Sequence, residues 1–177
     1  MKKLSAALCA VIAIVLVAFG LFFGTWRGYR EDRAQVEAML TMENGLMDVL
    51  AYRAADGLNL CAVARRHLPA GDETLKTLES VARSLQQAQT FRPALDAELA
   101  EAVDAVSASL EALESFQQSQ RDQRYLAMLK ADLSSLRASE IVGAYNQAAE
   151  AFNRQLDAPV SGHLARLLGF EKCPLYR

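Results

Sequence analysis

The stretch LSAALCAVIAIVLVAFGLFF, Leu4 to Phe23, decides the architecture, because its 20 consecutive residues carry no charge. As a helix rising about 1.5 Å per residue it is about 30 Å long, the thickness of a bilayer's hydrocarbon core. The run therefore predicts a single-pass transmembrane helix over residues 4–23, with Leu4 and Phe23 at its ends and a basic flank, residues 1–3, ahead of it. Lys2 and Lys3 imitate a signal-peptide n-region, but the run exceeds a usual h-region and no clear Ala-x-Ala site follows. Leu8 stands where a lipidated Cys9 would need a small residue, which argues against a lipoprotein. Trp26 and Tyr29 follow directly and are expected to act as an interfacial aromatic anchor. Lys2, Lys3 and the amino terminus weighed against Arg27, Arg30 and Arg33 place the amino terminus inside and the rest of the chain outside.

Working outward, the 177 residues suffice for this anchor and one modest domain. Aromatics are only 7% of the chain, Pro and Gly are sparse, and Ala, Leu, Glu and Gln dominate, so the residues are helix formers rather than strand formers. The formal net charge is −2; setting aside Lys2 and Lys3 leaves 17 basic against 21 acidic residues, which is no balance for binding nucleic acid. Cys9, Cys61 and Cys173 are odd in number and widely spaced, so they are read as small hydrophobes rather than a disulfide framework. A Cys61–Cys173 bridge is the alternative in an oxidising compartment.

The expected domain covers residues 26–157 and is an antiparallel up-down four-helix bundle, with helices over 26–68, 72–89, 93–117 and 120–157. The first follows the stripe Val36, Leu40, Met47, Leu50, Ala54, Leu58 and Cys61, with Gly57 as the expected bend. The second starts at an Asp72 N-cap and carries Leu75, Leu78, Val81, Ala82 and Leu85. The third starts at Pro93 and has the coiled-coil spacing Leu95, Leu99, Val103, Val106, Leu110, Leu113. Its other face, Asp96, Glu98, Glu101, Asp104, Glu111 and Glu114, is read as solvated. The fourth starts near Ser119 and Asp122 and runs through Leu126, Leu129, Leu133, Leu136, Ile141, Val142, Tyr145, Ala149, Phe152 and Leu156, with a phase slip at Ala138 to Glu140. In the tail, 158–177, Pro159 closes the bundle and a short C-terminal helix over Val160 to Leu168 is expected to fold back on it. There Leu164, Leu167 and Leu168 lie on one side, with Gly169 as C-cap and Phe170 as its apolar follower.

In the fourth helix and tail, Ala144-Tyr145-Asn146-Gln147-Ala148, Ala151-Phe152-Asn153, Leu167-Leu168-Gly169-Phe170 and Tyr176 resemble the closing pattern of the LemA family. Arg53-Ala54, Asn59-Leu60, Glu73-Thr74-Leu75 and Val81-Ala82-Arg83 look like LemA segments as well. Leu58, Phe152 and Ser135-Leu136 depart from the family pattern, as in a divergent member. The resemblance implies an antiparallel helical bundle on a membrane tether; with the orientation taken from the flanking charges, the expected place is a bacterial inner (cytoplasmic) membrane with the domain on the periplasmic side. The resemblance also implies a family without established enzymatic activity, some relatives of which take part in membrane remodelling.

Tyr145 and Phe152 are seven residues apart, as are Asn146 and Asn153, so an aromatic ladder stands beside an amide ladder. Core packing with polar register-setting is the favoured reading, and contact with a neighbouring subunit the other. Tyr145, Asn146, Phe152, Asn153, Leu167, Leu168 and Phe170 are thus the candidate interaction residues. His67 and His163 have no metal-ligating partner at helical spacing, and there is no phosphate loop, nucleophile motif or carboxylate pair in an apolar setting. The expectation is therefore no catalytic residue, no metal and no cofactor, hence no enzyme. The expected function is a membrane scaffold that self-associates as a homo-oligomer on the lipid bilayer; the alternative is an accessory subunit for another membrane protein such as a protease or transporter.

Overall fold

A computed structural model describes the backbone of residues 6–176 and the side chains of residues 8–176. Leu4 and the flank Lys2-Lys3 lie outside the described residues. Every described element is helical: α1 (Ala6–Thr41), α2 (Leu46–Ala64), α3 (Glu73–Gln86), α4 (Pro93–Glu111), α5 (Glu114–Gln117), α6 (Gln120–Arg137), α7 (Glu140–Leu156) and α8 (Ser161–Leu167). The helices form two compact units, one of residues 6–38 with 147–174 and the other of residues 39–146 with 175–176.

In the larger unit α2 is the central element, packing against α3, α4 and α6, while α3 also packs against α4. Leu46, Leu50, Ala54, Leu60 and Ala64 of α2 meet a core that includes Leu78 and Ala82 of α3, Leu99, Val106 and Leu110 of α4, and Leu126, Leu129 and Leu133 of α6. Helix starts follow local chemistry. Asp72 caps α3 by accepting from the Thr74 and Leu75 amides at 2.9 and 3.0 Å. Pro93 opens α4, where its missing N–H costs nothing. Ser119 accepts from the Asp122 amide at the start of α6.

Three of the four expected helices are corrected. The helix expected over 26–68 is broken at residues 42–45, where Asn44 takes a left-handed φ of 57° and the Gly45 amide closes a turn on the Met42 carbonyl at 2.8 Å. A Cβ on Gly45 would lie 2.7 Å from that carbonyl oxygen, so the turn requires glycine. The apolar stripe crosses this turn without loss of phase, which is why periodicity alone missed it. Gly57, the expected bend, is instead buried inside α2, and its missing side chain lets α3 and α4 approach: a Cβ there would lie 2.9 Å from Leu99 Cδ1 and 3.3 Å from Ala82 Cβ.

The helix expected over 93–117 stops at Glu111, because Leu113 turns extended and Gln117 Nε2 caps the Glu111 carbonyl at 2.9 Å. The single turn of α5 then drives Phe116 into the core. The helix expected over 120–157 divides at Ala138-Ser139. Leu133 and Val142, both buried, are nine residues apart, so on one continuous helix they would face about 180° apart; the break brings both inward.

In the smaller unit α1 begins with the apolar run, whose side chains from Leu8 to Phe23 are exposed throughout. One helix near the amino terminus is thus long and apolar enough to cross a membrane. Trp26 is half-buried, with Arg30 stacked 5.0 Å over its ring. Tyr29 turns into the fold rather than standing free on α1. Only 7% exposed, it donates from its hydroxyl to the Gln155 carbonyl at 2.7 Å and packs edge-on against Phe152 at 6.1 Å.

Replacing Gly57 with valine should destabilise the protein by about 1–3 kcal/mol through overpacking against Leu99 and Ala82, read as a lower urea midpoint. A midpoint unchanged from wild type would show that α3 and α4 do not approach there.

Candidate functional site

Helix α7 owes its two faces to simple spacing. Tyr145, Ala149, Phe152 and Leu156 recur at four- and three-residue intervals and are all buried. Asn146 and Asn153 lie one position on, beside that stripe, and each closes a two-bond ring on the chain's own C-terminal tail.

In the smaller unit Asn153 donates from Nδ2 to the Cys173 carbonyl at 2.9 Å and accepts from the Cys173 amide at Oδ1 at 2.7 Å. In the larger unit Asn146 does the same with Tyr176, at 2.8 and 2.9 Å. An extended segment has no internal hydrogen bonds, and buried backbone groups must be paired. The asparagines supply the pairing.

The tail is delivered to its clamps by the end of α8. Gly169 has φ of +87°, its amide bonds to the Arg166 carbonyl, and the Phe170 amide bonds to the Ala165 carbonyl, the two bonds of a Schellman motif. Phe170 then lands 5.8 Å from the Tyr29 ring. Arg33 donates to the Glu171 carbonyl at 3.0 Å and sits 5.9 Å over the Phe152 ring.

In the larger unit the tail ends on a buried ion pair. Arg53 donates from Nε to Asp96 and from a terminal nitrogen to the Leu133 carbonyl, while the Tyr176 hydroxyl donates to the other Asp96 oxygen at 2.7 Å. Arg53 and Asp96 are 2% and 0% exposed. Burial, followed by the hydrogen bond to Asp96 and its charge, pushes the Tyr176 phenol well above its usual range, so it remains a donor. Phe91 covers this end of the tail, 5.1 Å from the Tyr145 ring and 6.4 Å from that of Tyr176. Asp96 thus leaves the acidic face to which its spacing assigned it; Glu98, Glu101, Asp104, Glu111 and Glu114 are exposed. Beside Arg53 opens a cavity of about 180 Å³ whose walls include Asp104, Lys130 and Arg137, so it selects no ion by sign alone.

A second polar cluster joins the end of α2 to the start of α6. His67 Nε2 meets Asp122 at 2.9 Å, His67 Nδ1 meets the Ser115 hydroxyl at 3.2 Å, and Arg66 pairs with the same Asp122 at 2.5 Å. Serine, histidine and aspartate stand in the order of a nucleophile relay, and the carboxylate also accepts from Arg66 and the Ser119 hydroxyl, so that the cluster ties the end of α2 to the start of α6. The hydrogen bond from His67, then those from Ser119 and the charge of Arg66, hold the Asp122 carboxyl below its ordinary range against an opposing effect of burial.

The candidate interaction residues therefore divide. Tyr145, Asn146, Phe152, Asn153 and Phe170 are used inside the protein, Leu168 is half-buried, and Leu167 is 68% exposed. Cys61 and Cys173 are free thiols, both buried, and burial pushes Cys61 up to about 11. Among the described residues no group of three or more His, Cys, Asp or Glu is placed to hold a metal. Sequence reading put Arg53 and Tyr176 in family-like segments and Asp96 on a solvated face, and did not join the three. The available signal was Arg53 itself, a charge three residues after Leu50 on an apolar stripe.

Asn153→Ala and Asn146→Ala should each lower stability by about 1–3 kcal/mol in urea unfolding, because each strands a buried tail amide and carbonyl. Carboxypeptidase should also trim residues 170–177 faster; a tail trimmed no faster would contradict the clamps. A carboxyl whose folded pKa is depressed adds stability that is full above its ordinary value and is lost as pH falls through the folded pKa. Asp122→Asn should accordingly be less stable than wild type at neutral pH, and the difference should shrink on acidification below the ordinary carboxylate range, followed by thermal melts.

Comparison with protein-family models, curated proteins and solved structures finds no match to this chain.

Proposed function

We propose that the chain is a non-catalytic, LemA-type scaffold, anchored in a bacterial inner membrane by α1 and self-associating through an antiparallel up-down bundle on the periplasmic side. The observation that carries this reading is the exposed surface of the larger unit. On α6, Arg121, Arg124, Tyr125 and Met128 form an exposed basic and aromatic strip, with Arg121 stacked 5.5 Å over the Tyr125 ring. On α4, Glu98, Glu101 and Asp104 form an exposed acidic strip.

The two strips are complementary in charge and differ in kind, so a contact between them in two copies is heterologous and repeats as a ring or filament. The aromatic and methionine supply the apolar centre that such a contact needs. The ladder residues of α7, being used internally, are not part of it.

Full-length protein in mild detergent should run as an assembly whose mass rises with concentration. Arg121→Glu with Arg124→Glu should reduce it to monomer, and adding Glu98→Lys with Glu101→Lys should restore it. A monomeric mass at every concentration would sink the scaffold reading, and a single foreign crosslinked protein in cells would favour the accessory-subunit reading in its place.

A further inference from the structure

The outer face of α8 lies at the membrane-proximal edge of the smaller unit. Contacts along α1 set the order of levels. Tyr29 meets Phe152 and Gln155 near the end of α7, Ser161 at the start of α8 and Phe170 just beyond α8. Arg33, one turn further from the apolar run, meets Glu171 and Cys173. Helix α7 thus descends towards the apolar run, the tail climbs away from it, and α8 is the turn at the bottom, with both its flanks close to the single residue Tyr29. A helix held at both ends at one level of α1 lies across α1 rather than along it.

That level falls at the bilayer surface. Tyr29 is six residues beyond Phe23, about 9 Å, and the headgroup zone of each leaflet is about 5–8 Å thick. Gly162 and Ala165 face inward, and a Cβ on Gly162 would collide with the Leu156 carbonyl, so α8 is fixed to the unit by its small-residue side. The other side carries Val160 and Leu167, 73% and 68% exposed, together with exposed His163 and Arg166. Arg166 makes no ion pair among the described residues, and on α1 the exposed Arg27, paired with Glu31, and Arg30 stand on either side of Tyr29 along the chain.

We infer that α8 is an interfacial foot: Val160 and Leu167 insert between lipid headgroups, and Arg166 with Arg30 selects a leaflet rich in anionic lipid. Apolar side chains flanked by arginines are the chemistry of helices that lie in the interface plane. The inference rests on α1 crossing the bilayer, and one experiment separates the two.

Full-length protein carrying Trp26→Phe is given one tryptophan at a time, as Val15→Trp, Val160→Trp, Leu167→Trp or Ala38→Trp, the last being exposed on α1 nine residues beyond Tyr29. Each is reconstituted in vesicles of phosphatidylcholine, with or without phosphatidylglycerol, that contain brominated acyl chains. Quenching at 15 shows the span. Quenching at 160 and 167 severalfold above that at 38, strongest with shallow bromines, deepened by phosphatidylglycerol and reduced again by Arg166→Glu, supports the foot. Quenching at 15 with 160 and 167 left open to aqueous iodide in both vesicles overturns the foot alone. Absence of quenching at 15 overturns the foot together with the span.

Discussion

Cys173 and Tyr176 of the extended C-terminal tail are buried away from any neighbouring strand, and two asparagine side chains on α7 pair their backbone groups. Each primary amide presents a donor and an acceptor with the geometry of a strand edge, so Asn153 and Asn146 pair with the backbone of Cys173 and Tyr176 as a neighbouring strand would. Much else follows from that pairing. Tyr176 is brought onto Asp96, which fills the second oxygen of a carboxylate that Arg53 alone would leave half-satisfied. A buried ion pair is tolerable only when its remaining lone pairs and protons are met; losing one partner costs about 3–5 kcal/mol. The tail is therefore a structural element of the domain, placed by side chains rather than by a sheet.

Much of this was legible in the residues. Asp72, Pro93 and Gly169 mark helix ends at which the chain does begin or stop helices, because capping is local chemistry with few alternatives. The heptad spacing of Asn146 and Asn153 pointed to register-setting between helices, whereas each asparagine bonds the backbone of the tail. What periodicity could not reveal was the turn at Asn44-Gly45, since the stripe on either side of it stays in phase. Nor could it reveal which charges leave the surface. Asp96 has the same spacing as its exposed neighbours Glu98 and Glu101, and only the arrival of Arg53 and Tyr176 from distant segments makes its burial affordable. The pairing of His67 with Asp122, 55 residues away, is unreadable for the same reason.

The same clamps bear on function. Asn146 and Asn153 are taken up by the protein's own tail and Tyr145 and Phe152 by its packing, so the proposed contacts fall instead on the charged strips of α4 and α6 and the outer side of α8. Tyr29 lies inside the fold, so the aromatic position after the apolar run is the post around which the end of α7, α8 and the start of the tail turn.

Amide hydrogen exchange of the full-length protein in lipid nanodiscs tests this account most directly. Buried and bonded to the asparagine side chains, the Cys173 and Tyr176 amides should exchange far more slowly than a free peptide, at rates comparable with the core of α7. If both exchange at the rate of an unstructured chain, the tail is not held, and Asn146 and Asn153 are free to serve a partner instead.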